Sequence, residues 1–140
     1  MKYIIIIPFL FFFFSTRAQS ISIEITNVRS TEGHLLLGVY TNDPDFQSKT
    51  AILKKTVLKT NLKDGKVSTT IEGLKPGTYA IALMDDEDWD RKMRYSFFLP
   101  DEGYAFSNYY HTEFRKPRFN DFKFVLGDHD KKIIMRVKYL

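Results

Sequence analysis

Asp86, Asp88 and Asp90 alternate along the chain, a spacing that lets a tightly turning backbone aim successive carboxylates at one hard cation. They fall at positions 1, 3 and 5 of a calcium-loop template. Position 6, where a Gly is expected, holds Arg91; position 9 holds Arg94, and position 12, where a bidentate Glu belongs, holds Phe97. Two guanidinium groups repel a divalent ion, so two readings stand side by side. In one, Asp86, Asp88 and Asp90 hold calcium; in the other, a solvated acidic loop is neutralised by its own Arg91, Lys92 and Arg94. The second chemistry on offer is stacking. Trp89, Tyr104, Tyr109 and Tyr110 carry rings with polar edges suited to a sugar or peptide ligand, and Arg115 and Arg118 flank them; these six are the expected ligand-binding set. The plainer use of such rings is to anchor a long loop against a sheet.

Catalysis has little to work with. There is no cysteine, and His34, His111 and His129 lie far apart with no nucleophile elbow, zinc-binding helix motif or phosphate loop beside them. Asp101 and Glu102 near Tyr104 and Ser107 give a remote envelope-hydrolase alternative, but Glu102-Gly103 reads more simply as a turn whose carboxylate accepts backbone N–H bonds. The expectation is a non-catalytic protein with no cofactor, calcium at the acidic loop being the alternative.

The elements that position these residues are strands. Ile21, Ile23 and Ile25 alternate with Ser22, Glu24 and Thr26, and Leu35, Leu37 and Val39 share a face beyond the Ser30–Gly33 turn, so a hairpin is expected. Pro44 biases Asp43 towards an extended conformation, and residues 46–58 read as a loop or short helix followed by a strand. Asp64-Gly65 is a two-residue hairpin signal leading into Lys66–Ile71. Pro76-Gly77 suggests a type II turn with φ > 0 at Gly77. Residues 78–84 are apolar on both faces and therefore central. A long irregular stretch, Asp85 to Asn120, precedes a last hairpin of Phe122–Leu126 and Ile133–Tyr139. Some seven short strands without a long amphipathic helix predict an all-β antiparallel sandwich with one long loop.

The chain has 140 residues, enough for one core. Lys2, the apolar run Tyr3–Phe14 and the small-residue region ending at Ala18 read as a signal peptide over residues 1–18, leaving 19–140 as a single domain. Twelve apolar residues span roughly 18 Å as a helix, short of the ~30 Å of hydrocarbon, so no transmembrane anchor is expected. Without cysteine no lipid anchor is expected either. Cleavage would remove Lys2 and Arg17 and no acid, lowering the net charge from +4 to +2, too little to argue nucleic acid. The expected address is periplasmic or secreted. Of the 16 aromatic residues after residue 18, 12 lie between Trp89 and Phe124, which makes that stretch the place to look for function.

Several segments together resemble a family. Gly73-Leu74-Lys75-Pro76-Gly77-Thr78-Tyr79-Ala80, the acidic segment from Asp86 that stands where the pattern has Asp-Glu-Asn-Gly-Asn-Gly, Pro100–Asn108 and Pro117–Asp121 are similar in order and spacing to secreted bacterial domains of unknown-function family 2141. The resemblance implies an exported immunoglobulin-like or transthyretin-like β-sandwich without an established activity. With it goes the expectation of a binding or structural module at the cell envelope, its partner an envelope glycan or protein.

Overall fold

The computed structural model describes residues 19–96 and 99–140, and the expected signal peptide lies outside the described residues. The order is β1 (Ser20–Thr26), β2 (His34–Tyr40), α1 (Asp43–Gln47), β3 (Leu53–Leu58), a 3-10 turn (Lys59–Asn61), β4 (Val67–Glu72), β5 (Gly77–Asp86), β6 (Tyr95–Ser96), β7 (Leu99–Pro100), β8 (Gly103–Phe106), α2 (Phe119–Phe122), β9 (Phe124–Leu126) and β10 (Lys131–Arg136). One sheet has the order β10-β1-β4; the other runs β3-β2-β5-β8, with β9 pairing the start of β5. This is the expected all-β, sandwich-like architecture.

Alternation builds the core between the sheets. Ile21, Ile23 and Ile25 of β1 face Leu35, Leu37 and Val39 of β2, joined by Ile81 and Leu83 of β5 and by Ile133, Met135 and Val137. Each such side chain contributes roughly 1.5–3 kcal/mol on burial. β5 is central, as its two apolar faces predict.

Among the described residues the hairpins expected of β1 with β2 and of the two C-terminal strands are absent. β1 pairs β4 and β10 while β2 pairs β3 and β5, because each strand has one strongly apolar face and the two faces meet across the core. At the C-terminus β9 joins β5 and β10 crosses to the other sheet, where it runs parallel to β1. Among the described residues that parallel pair is the exception to antiparallel pairing. The Asp64-Gly65 turn is real, with both residues at positive φ as a type I′ turn needs, but it closes only the Lys63–Lys66 bridge. Positive φ falls on Gly73, not Gly77, which is already the first residue of β5. Asp43 is helical rather than extended, since Asn42 caps α1 by accepting from Asp45 N–H and Pro44 suits the first turn.

The stretch 85–120 is less irregular than its sequence. β8 is an edge strand of the larger sheet, and Tyr104 and Lys138 exchange backbone hydrogen bonds (3.0 and 2.8 Å) that tie this edge to the chain beyond β10. A second small core covers part of that sheet's outer face. Tyr40, Phe46, Ala80, Phe106, Phe119 and Phe122 pack there, with Phe46 and Phe106 edge-on or tilted against Phe122 at 4.9 and 4.8 Å. Ser107 fastens it: its hydroxyl accepts from Ile81 N–H (3.0 Å) and donates to the Phe122 carbonyl (2.6 Å). Many of the loop aromatics are therefore anchors.

Candidate functional site

Where the cover of the second core stops, the outer face of the larger sheet stays open. Leu35, Leu37 and Leu83 point inward, so their neighbours His34, Leu36, Met84 and Asp86 point outward. Register sets them in rows: Leu58, His34 and Asp86 in one, and Thr56, Leu36, Met84 and Tyr104 in the next. Leu36, Met84 and Tyr104 are half-buried and Leu58 is exposed, which leaves an apolar strip on a rigid support.

Trp89 overhangs one end of that strip. Its ring lies 4.4 Å from the His34 ring, tilted by 50°, and the side chain remains 58% exposed. Trp89 and Arg91 both adopt left-handed backbone, φ +65° and +60°, at a cost of roughly 1–2 kcal/mol each for non-glycine residues. Beneath the indole, His34 Nε2 and Asp86 Oδ2 stand 3.2 Å apart, both side chains wholly buried.

β5 thus ends in two successive buried carboxylates on opposite faces. Asp86 serves the outer face, where its Oδ2 also accepts from Arg91 N–H (3.0 Å). Asp85 points inward to Lys59, whose Nζ lies 2.5 Å from Oδ1 and also donates to the Glu32 carbonyl (2.6 Å). The Tyr139 hydroxyl donates to Asp85 Oδ2 at 2.5 Å. Burial, with the Asp85 carboxylate beside it, pushes the Tyr139 phenol well above its ordinary range. Arg29 stacks on Tyr139 (4.3 Å) and makes a two-pronged bond to Glu87 (2.9 Å each), which holds Glu87 below its usual value.

Asp86, Asp88 and Asp90 do converge: one carboxylate oxygen from each lies within 4.8 Å of the others. Arg94 is the cation among them. Its guanidinium contacts Asp88, approaches Asp90 (3.8 Å) and bonds Glu102 (3.2 Å), while its N–H donates to Glu102 at 2.7 Å. Glu102 is therefore the backbone-accepting turn carboxylate its sequence suggested. Of the three basic residues expected to neutralise the loop, Arg94 does so through its side chain; Arg91 and Lys92 instead lend backbone N–H groups to Asp86 and Asp90.

The six expected ligand-binding residues do not form one surface. Trp89 and Tyr104 share the open face of the larger sheet. Tyr109 is half-buried against Phe106 and His111, and Tyr110 lies beneath Arg136 and Lys138 beside β10. Arg115 is bound to Asp121 (2.7 and 3.0 Å) and Glu113 (2.5 Å), and Arg118 is exposed at the start of α2. His34, Lys59 and Asp85 were not anticipated; the one signal for the last was a pair of acids closing an apolar strand.

Asp121 is held near a pKa of about 2 by the Arg115 side chain and then by the Arg118 N–H. A carboxylate depressed on folding contributes stability that is full above its unfolded value, about 4, and is lost as pH falls through the folded value. Acid melts between pH ~4 and ~2 should therefore show a component that Asp121→Asn removes, limited to about 1 kcal/mol because the pair is solvent-exposed.

A family of uncharacterised proteins conserved in bacteria, domain-of-unknown-function family 2141, matches residues 23–134. The chain belongs to this family. No curated protein and no solved structure matches it.

Proposed function

We propose that this protein is an exported, non-catalytic capture module of the bacterial cell envelope, binding a glycan or peptide on the open outer face of the larger sheet. The observation that carries this reading is Trp89: a large ring, more than half exposed, held in a left-handed conformation over a buried His–Asp pair and continuous with Leu58, Leu36, Met84 and Tyr104. Loops on rigid scaffolds carry recognition, and exposed aromatic anchors supply most of its energy. Asp85 is engaged with Lys59 and Tyr139, Glu102 with Arg94, and Asp86 with His34 and the Arg91 N–H, contacts that brace the strand end beneath the indole. Trp89→Gly relieves the left-handed strain and forfeits the His34 contact, so stability should stay within about 1 kcal/mol while ligand capture is lost. A large fall in melting temperature with capture intact would remove Trp89 from the site.

A second reading makes the acidic loop a calcium site that stiffens the same face. It rests on the convergence of Asp86, Asp88 and Asp90 and on Asp86 Oδ1, buried without a hydrogen-bond partner; the Arg94 guanidinium already among these groups weighs against it. It predicts a calcium-specific rise in melting temperature over chelator and magnesium controls, about 2.7 kcal/mol at a hundredfold excess over Kd. Conversion of all three Asp to Asn should abolish the rise. Equal melts in calcium and magnesium would dispose of the site.

A further inference from the structure

The second charged, aromatic surface lies away from Trp89. From Asn108 onward the chain carries eight Lys and Arg against four Asp and Glu, whereas residues 85–102 carry seven acids against three bases. Period two puts Lys132, Ile134 and Arg136 on the outward face of β10, since Ile133 and Met135 are buried. Tyr110 lies under the cations there, 4.9 Å from the Arg136 guanidinium and 5.8 Å from Lys138 Nζ.

The loop that follows Tyr110 is braced from inside. His111 is buried; its Nε2–H donates to the Arg115 carbonyl (2.6 Å), its Nδ1 meets the Tyr109 hydroxyl (3.2 Å), and its own carbonyl accepts from Lys138 (3.0 Å). Beyond it, Arg115 is bound to Asp121, and Phe119 N–H donates to Asp43 on α1 (2.8 Å). At the tip of this fixed loop Phe114 is fully exposed. Glu113 and Asp121 are engaged by Arg115, and Glu24 by Lys132. Among the described residues Lys116, Arg118, Arg136 and Lys138 make no ion pair; Lys116 Nζ donates to the Gln47 carbonyl (3.5 Å) and Lys138 Nζ to that of His111, and Lys116 and Arg118 help to hold the Asp43 carboxyl below its usual value.

We infer that this face docks on an anionic phospholipid surface, Phe114 entering the interface while Lys116, Arg118, Arg136 and Lys138 meet phosphate groups. A protruding ring on a basic loop, its cations held by carbonyls and rings rather than by ion pairs, has the chemistry of interfacial attachment: apolar insertion plus attraction to negative headgroups. A partner protein's pocket would bury the ring without needing the surrounding cations.

Residues 19–140 carrying Trp89→Phe and Phe114→Trp have their only indole at the loop tip. Vesicles of phosphatidylglycerol and phosphatidylcholine should move its emission to shorter wavelength, and pure phosphatidylcholine should not. The response should fade at about 1 M salt, where the screening length is roughly 3 Å. Arg136→Gln in this background should weaken vesicle affinity about fivefold. Should the double change fail to fold, an environment-sensitive dye on Thr112→Cys, the only thiol in an otherwise cysteine-free chain, reads the same loop. Emission unmoved by phosphatidylglycerol vesicles, an equal shift with neutral vesicles, or a shift produced by soluble polygalacturonate without lipid would overturn the inference.

Discussion

Lys59→Ala should destabilise the protein by about 3–5 kcal/mol, because it leaves the wholly buried Asp85 carboxylate without its cation. For a chain of this size that is a fall of roughly 10–20 °C in melting temperature, and a large part of the 5–15 kcal/mol that holds a typical domain together. The loss should exceed that from Tyr139→Phe, which removes one hydrogen bond to Asp85 and leaves the ion pair. Replacing both partners, Lys59→Met with Asp85→Leu, should recover most of the stability, since the gain from a buried pair barely exceeds the cost of desolvating it. A denaturant-melt double-mutant cycle checks this; additive single losses with no recovery in the double variant would mean that the two groups do not act as a pair.

Phe122→Ala should cost a similar amount, about 3–5 kcal/mol, through the cavity left among Phe46, Phe106 and Tyr40. The position is also where Ser107 grips the backbone, so a smaller ring-preserving change serves as control. Phe122→Leu should lose about half as much and keep the Ser107 bond to the carbonyl. The emission of Trp89, the sole tryptophan, should be unchanged in both, because Trp89 rests on His34 and not on this cluster. A shift in that emission would show the two ends of the face to be coupled.

The inward rows of β1, β2 and β5 were legible because period two and apolar side chains coincide there. Strand partners were not: Ile21–Ile25 and Leu35–Val39 look the same whether they pair edge to edge or pack face to face, and only the whole set of strands decides between the two. The parallel β1–β10 pair joins segments more than a hundred residues apart, and no local turn announces it. β8 was hidden because Gly103–Phe106 is only four residues long. At the site, the convergence of Asp86, Asp88 and Asp90 follows from spacing alone. The roles of Lys59 and His34 do not, since a Lys after a strand and a His before one are ordinary surface choices until β5 brings Asp85 and Asp86 beside them. The aromatic crowd from Trp89 to Phe124 held both anchors and exposed rings, and sequence had no means of sorting Phe122 from Phe114.

Capture without turnover at the Trp89 face is tested most directly by titrating soluble peptidoglycan fragments, which carry both sugar rings and peptide stems, into the protein while following Trp89 emission, then recovering the fragments for mass analysis. A saturable change in emission is expected, with calorimetric titration of Trp89→Phe, which lacks the only tryptophan, showing weakened uptake of the same fragments and every fragment recovered at its original mass. A flat titration would contradict the assignment of the face to an envelope glycan or peptide, and fragments returned shorter than they were added would contradict a non-catalytic role.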